Sequence, residues 1–366
     1  MAIRLRATRV IQPGQKIRVL VVDDSVVIRR LVCHALEEDP GLEVVGVAAN
    51  GRVALSRILQ VNPDVITLDI EMPEMDGLQM LRELRRHDRA IPVVMFSTMT
   101  ERGASATFEA LSLGADDYVT KASNAGSLDV SLANLRQELV PKIRQFFQIA
   151  HPEGELRPAA ASGPPHLVAP SPFRAKRRAV AIGVSTGGPA ALAKVVPQFP
   201  AGFPLPVFIV QHMPPLFTRL LAERLDTLTP LAVREGVDGE IAKPGHIYIA
   251  PGDQHMRLLN SSQGPTVTLD QTAPLNSCRP AVDALFSSLA EVYGPAVVAA
   301  VLTGMGHDGM SGAERLAARG AYVLAQDEET SVVWGMPGSV VTAGVANQIL
   351  PLESIVPAIL QEVDGI

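Results

Sequence analysis

Short runs rich in Val and Ile alternate, from Ile17 onward, with amphipathic segments of helix length. "IRVLVV", "LEVVGVA", "DVITLDI", "PVVMFS" and "DDYVTK" read as strands bounded by turn residues. Between them "SVVIRRLVCHALEED", "GRVALSRILQVN", "GLQMLRELRRHD" and "ERGASATFEALSLGA" space apolar residues by three and four, and a fifth helix is expected after Ser127. A helix-length crossover brings each strand back parallel to the last, so five such units predict a doubly wound, five-stranded parallel sheet. Residues 151 to 178 interrupt the pattern. They are crowded with Pro, Ala, Gly and Ser, lack an apolar period, and read as a linker. The basic cluster Arg174, Lys176, Arg177 and Arg178 at its end is expected to be a solvated flank, with docking to an acidic surface as the alternative.

From Ala179 the alternation resumes. "AVAIGV", "LPVFIVQ", "HIYIA", "HMRLL", "TVTLD", "AVVAAVLTG" and "AYVLAQ" are strand candidates. "HMRLLNSSQGPTVTLD" reads as a hairpin about an Asn-Ser-Ser-Gln-Gly turn. The expectation is a second α/β domain, mostly parallel, with one β-hairpin. The boundaries drawn are 16–140 for the first domain, 141–178 for the linker and 179–366 for the second domain.

With 47% hydrophobic and 19% charged residues, the chain has the composition of a soluble globular protein with full cores. A net charge of -6 argues against nucleic-acid binding, which calls for a basic domain. No apolar run approaches the roughly 20 residues of a membrane span, and the N-terminus carries no signal-like apolar region. Cys33 and Cys278 lie far apart with no metal-like or redox-like spacing, so buried, reduced thiols in a cytoplasmic protein are expected.

Polar residues gather where strands end. Asp23 and Asp24 close "VLVV", Asp69 closes "DVITL", Ser97 ends the next strand and Lys121 the one after. In an open parallel sheet these ends converge on the ligand crevice. Three carboxylates there repel one another unless a cation joins them, and a hard ion such as Mg²⁺ meets that need. Isolated turn and cap residues are the plainer explanation of each alone, but five at successive strand ends make a pattern.

In the second half, Gly183-Val184-Ser185-Thr186-Gly187 fits a nucleophile-elbow pattern, and its glycines also suit an anion-cradling helix start or a structural turn. There is no Walker lysine and no G-x-G-x-x-G with a following acid. His212 follows "LPVFIVQ", and Asp308 lies just past "AVVAAVLTG". A hydroxyl, an imidazole and a carboxylate on one sheet edge have the composition of a hydrolytic triad. His246, His255 and His307 are rival bases, and Asp308 could instead cap the helix beginning near Gly309. The chain order Ser, His, Asp disfavours the α/β-hydrolase fold.

"VLVVDDS", "PDVITLDIEMPEMDGL", "MFST" and "DYVTK" resemble the receiver domain of bacterial two-component response regulators, a flavodoxin-like fold. The resemblance implies Asp69 as phospho-acceptor, Asp23, Asp24 and Asp69 as the Mg²⁺ site, Ser97 and Lys121 as phosphate-sensing residues, and Tyr118 as a switchable aromatic. Ala122 stands where many receivers have proline, which puts a cis peptide there in doubt. "GVSTGGPAAL", "VQHMPPLFTRLLAERL", "PGHIYIAPGDQHM", "RPAVDALFSSLA", "LTGMGHDGMSGA" and "WGMPGSV" resemble the catalytic domain of the CheB family of chemotaxis protein-glutamate methylesterases.

That resemblance implies Ser185 as nucleophile, His212 as base and Asp308 as its orienting acid, with no cofactor at the esterase centre. Backbone N–H groups near Thr186 and Met305 are candidates for an oxyanion hole. Implied substrates are glutamate methyl esters, and glutamines, on chemoreceptor cytoplasmic domains, and a CheA-type histidine kinase is the implied phosphodonor. The resting receiver is implied to cover the esterase crevice. His307 stands where asparagine is expected and reads as tolerated rather than catalytic. The competing reading is a phosphorylation-gated regulator whose second domain binds a partner without hydrolysis.

Overall fold

The computed structural model describes residues 9–88, 90–121, 128–149 and 175–364, which fall into two compact units on either side of the interruption. Arg174 and Ala122 lie outside the described residues. No helix among the described residues is long and apolar enough to cross a membrane.

In the first unit the elements run β1 (Arg9–Ile11), β2 (Ile17–Val22), α1 (Val26–Glu37), β3 (Leu42–Ala48), α2 (Gly51–Val61), β4 (Val65–Asp69), α3 (Gly77–His87), β5 (Val93–Ser97), α4 (Glu101–Leu113), β6 (Asp117–Thr120), α5 (Leu128–Arg144) and β7 (Phe147–Ile149). The main sheet has the order β3-β2-β4-β5-β6 with every pairing parallel, as the alternation predicts. β4 and β5 are buried along their whole length because helices cover both faces. Side chains set the helix starts: Ser25, Asn50, Asp76 and Thr100 each accept a backbone N–H from the first turn that follows. The short parallel pair β1 and β7 carries no apolar period and was not anticipated.

The second unit runs β8 (Ala179–Val184), α6 (Gly188–Val195), β9 (Val207–Gln211), α7 (Pro215–Asp226), β10 (Ala232–Glu235), β11 (His246–Ile249), β12 (His255–Ser261), β13 (Gly264–Asp270), α8 (Val282–Val292), β14 (Val297–Val301), α9 (Met310–Ala318), β15 (Tyr322–Gln326), α10 (Gly335–Thr342), β16 (Gln348–Leu350) and α11 (Ile355–Asp364). Seven strands form a parallel sheet in the order β10-β11-β9-β8-β14-β15-β16, and β12 with β13 makes the expected hairpin. β10 and β16 are the sheet edges. Their "AVRE" and "QIL" are short and partly exposed, which is why no apolar run announces them.

In both sheets the first strand sits inside and later strands add on either side. The chain reverses direction at β2 and β4 in the first unit, and at β8 and β14 in the second. The C-terminal ends of those strands frame the crevice each sheet offers a ligand.

Two expectations need correcting. Arg177 is buried, not solvated: its guanidinium donates to the Pro295 carbonyl and pairs with Glu362 at 2.7 Å, because the entry to β8 lies beneath α11. Cys33 and Cys278 are both partly exposed rather than buried.

Candidate functional site

In the first unit Asp23 follows β2, Asp69 ends β4, Ser97 ends β5 and Lys121 follows β6, and the parallel register brings all four to one sheet edge. Lys121 Nζ lies 2.7 Å from Asp69 Oδ2 and 3.0 Å from Asp23 Oδ2, so one ammonium bridges two buried carboxylates. Burial, with the charge of Asp23 behind it, pushes the Asp69 carboxyl up to about 6 against the pull of Lys121. Asp23 Oδ1 accepts the Ser25 N–H, whereas the buried Asp23 Oδ2 has the Lys121 ammonium as its charged neighbour. Asp23, Asp24 and the Asp69 carboxylate each offer an oxygen within 4.8 Å of the others. This undercompensated oxygen cluster fits a hard divalent cation. Ser97 Oγ donates to the Gly103 carbonyl at 3.0 Å. Tyr118 is buried with Lys142 Nζ 4.9 Å from its ring centre, and burial raises its hydroxyl well above the usual range.

In the second unit His212 and Asp308 meet. His212 Nε2 lies 2.8 Å from Asp308 Oδ2. Asp308 also accepts the N–H groups of Val282 (2.6 Å) and Asp283 (3.1 Å) and the Asn276 amide (3.0 Å). These donors favour the carboxylate and hold Asp308 below its ordinary value even though burial opposes it. Asp308 therefore caps α8, not the α9 helix it immediately precedes. Asp283 does the reciprocal work, accepting the N–H groups of Gly309 and Gly312 at the start of α9. Asn276 Nδ2 bridges the two carboxylates. Sequence reasoning missed Asn276, Asp283 and Cys278; Asn276 and Cys278 lie in "NSCRP" just before α8 and Asp283 in its first turn, far in the chain from either strand end.

Ser185 ends β8. Its N–H donates to the Thr303 carbonyl, and Gln211 Nε2 donates to the carbonyls of both Ser185 and His212. The His212 N–H donates to the Val184 carbonyl, so the two segments run side by side. Gly304 approaches Ser185 so closely that a Cβ there would sit 2.8 Å from the Ser185 Cβ. Gly187, not Ser185, takes the left-handed conformation (φ 76°), so the turn lacks the strained nucleophile of a hydrolase elbow. No hydrogen bond joins Ser185 Oγ to His212 among the described residues. The neighbour of His212 Nδ1 is instead Cys278 Sγ, at 3.6 Å. Burial works to lower the His212 pKa, but the bonds to Asp308 and Cys278 outweigh it and raise the imidazole to about 10.

The rival histidines stand elsewhere. His255 is wholly buried with both ring nitrogens engaged by backbone, at Ala281 N–H and the Ala273 carbonyl. His246 begins β11, at the opposite end of the strand from the crevice, and stacks on Tyr248. The His307 side chain is exposed. Met305 is also exposed, and the Thr186 carbonyl is held by Thr303 Oγ1.

Residues 180–359 match the family model for CheB methylesterase, and residues 19–133 match the response regulator receiver domain. A protein-glutamate methylesterase/protein-glutamine glutaminase of Nocardioides sp. is 50% identical over 353 residues, 95% of each chain. One of Trichodesmium erythraeum is 46% identical over 95% of this chain and 99% of that one. The crystal structure of the Thermotoga maritima CheB methylesterase catalytic domain aligns with a TM-score of 0.50 and 43% identity, covering 52% of this chain and all of that one.

Proposed function

The chain belongs to the CheB methylesterase family, its esterase unit joined to a receiver, and from that premise we propose a phosphorylation-controlled protein-glutamate methylesterase and glutamine deamidase. Its substrates are chemoreceptor cytoplasmic domains, and a CheA-type histidine kinase supplies the phosphoryl group. The boundaries drawn put the receiver at 16–140, the linker at 141–178 and the esterase domain at 179–366, but α5 and β7 carry the packed first unit past residue 140 to Ile149.

The observation that carries the esterase reading is the orientation of His212. In the neutral imidazole, with Nε2–H donated to the Asp308 carboxylate, the lone pair sits on Nδ1, on the side of the ring away from Asp308. Ser185 Oγ attacks the γ-carbonyl carbon of a glutamyl methyl ester and gives its proton to Nδ1. The imidazolium returns that proton to the departing methoxide as methanol, leaving an acyl-serine. A water activated by the same nitrogen then cleaves the acyl-serine to the carboxylate. A glutamine substrate follows the same course and releases ammonia. Backbone N–H groups beside Thr186 and Met305 receive the oxyanion.

In the receiver Asp69 accepts the phosphoryl group, and Asp23, Asp24 and Asp69 would hold Mg²⁺. The ion, when bound, offsets charge on the carboxylates and phosphoryl oxygens. Lys121 and Ser97 then reach the phosphoryl oxygens, and Tyr118 repacks.

One observation favours a second reading: the group beside the base's lone pair is the Cys278 thiol, which would make Cys278 the nucleophile. Methanol release from methylated receptor separates the two. Ser185→Ala should lose on the order of 10⁴ to 10⁶ in turnover, and Cys278→Ser should remain active. The reverse result would assign the attack to Cys278, and release undiminished in both would sink the esterase mechanism.

A further inference from the structure

His212, Cys278 and Asp308 each offer a ligand atom within 4.8 Å of the others, a second ion-sized cluster quite unlike the all-carboxylate one in the receiver. We propose that His212 Nδ1 and Cys278 Sγ form a binding site for a soft divalent transition ion, Zn²⁺, which shuts off the esterase centre. The spacing carries the argument. Zinc bonds of about 2.0–2.1 Å to nitrogen and about 2.3 Å to sulfur, near the tetrahedral angle, place the two ligands roughly 3.6 Å apart. His212 Nδ1 and Cys278 Sγ are 3.6 Å apart.

The surroundings agree. A zinc-bound imidazole usually donates its other N–H to a carboxylate, which fixes the ring and raises its basicity. His212 Nε2 already does so to Asp308 at 2.8 Å. Asp308 is fully engaged by four donors, so it orients the imidazole while His212 and Cys278 hold the ion. Cys278 is itself fixed, its backbone paired both ways with Leu275 and its sulfur 3.4 Å from the Asn276 carbonyl. His212 keeps 13% of its side chain exposed and Cys278 is partly exposed, so an ion can enter and fill its remaining positions with water.

Softness sorts the two clusters of this chain: thiolate and imidazole select zinc, and the Asp23, Asp24 and Asp69 oxygens select Mg²⁺. On binding, the ion releases to solvent the thiol proton and the Nδ1 proton that His212 carries at neutral pH, and it occupies the lone pair that would accept the nucleophile's proton. Zinc is here an inhibitor and not a cofactor. Inhibition rests on the esterase reading; binding does not.

The test uses the full-length, reduced, metal-free protein with excess Mg²⁺ to occupy the receiver carboxylates, and Co²⁺ as the probe. One equivalent of Co²⁺ should give a thiolate-to-metal charge-transfer band in the near ultraviolet, bleached by one equivalent of Zn²⁺. The band should persist in Cys33→Ser and vanish in Cys278→Ala and Cys278→Ser. His212→Ala should weaken Co²⁺ binding by roughly 10-fold or more. Zn²⁺ should inhibit methanol release by the parent, and Cys278→Ser should need roughly 10-fold more Zn²⁺ or beyond for the same inhibition. Absence of the band, its survival in the Cys278 variants, or its loss in Cys33→Ser would overturn the site. A band without esterase activity would leave the site standing and sink the functional reading instead.

Discussion

Asp69 and Asp308 occupy equivalent places in two unrelated crevices. Each lies at or just beyond the C-terminal end of an inner parallel strand, and their exposures are 3% and 2%. Burial alone would raise both carboxyls. Yet Asp69 is pushed up to about 6 and Asp308 is held below the usual range. The partners make the difference. Asp308 has two helix N–H groups, an amide and an imidazole to itself, whereas Asp69 shares one ammonium with Asp23. The esterase carboxylate is satisfied by its own fold. The receiver carboxylate is left undercompensated, which suits the cation and phosphoryl group proposed for it.

Neutralising each carboxylate should break this symmetry most visibly. In Asp308→Asn the amide would face His212 Nε2 as a donor, driving the ring proton to Nδ1 and removing the lone pair from the nucleophile's side. Methanol release should fall by roughly 10⁴ in turnover. Asp69→Asn should leave basal release where it is and abolish only the increase produced by a phosphodonor with Mg²⁺. A modest loss in Asp308→Asn would mean that Asp308 is a helix cap with no part in the chemistry.

Stability sharpens the same contrast. A carboxyl near 3.8 unfolded and about 6 folded binds more protons in the native state between those values. Stability then falls as pH rises from about 4 to 6, by up to about 3 kcal/mol before Mg²⁺ is added. Asp69→Asn should therefore be more stable than the parent at neutral pH without divalent ions, with the gap closing toward pH 4 and shrinking when Mg²⁺ is present. The only tryptophan, Trp334, lies in the second unit. In urea titrations the gain should appear in far-ultraviolet circular dichroism and be missing from Trp334 emission. A pH-independent gap would refute the raised carboxyl.

Cys278 tests whether the esterase centre is as self-sufficient as Asp308 makes it look. His212 is raised to about 10 by Asp308 and Cys278 together, so it rests protonated at neutral pH and the rate should climb as the solution becomes alkaline. Cys278→Ser removes one of the two groups that hold the proton. The acid limb of kcat/KM should move down by roughly one pH unit. An unmoved limb would assign the whole effect to Asp308.

The sequence made one half of each crevice readable. Strand ends are legible because β-branched runs stop at a turn residue, so Asp23, Asp69, Ser97, Lys121, Ser185 and His212 could be placed on their edges before any coordinates. What joins the esterase crevice from outside the sheet could not. Asn276 and Cys278 sit in an irregular segment between hairpin and helix, where φ at Asn276 is +50° and no period betrays which way a side chain faces. The cap relation was invisible for the same reason. In sequence Asp308 stands where a cap of the helix next to it would, and only the fold shows that it and Asp283 exchange helices.

The smallest effect concerns the residue beside Asp308. His307 brings a second imidazole next to the proposed orienting carboxylate in sequence, which on spacing alone makes it a rival base. Its backbone carbonyl accepts the Met310 N–H at the start of α9, and its side chain is exposed while Asp308 turns inward. Adjacent residues in an irregular turn can point to opposite sides, and an exposed imidazole is screened by water from a carboxylate already holding four donors. His307→Asn should therefore keep the carbonyl bond and change turnover by less than about two-fold, the range of an ordinary surface substitution. A collapse comparable with that of Asp308→Asn would show that His307 reaches the reacting atoms, and would reopen the choice of base.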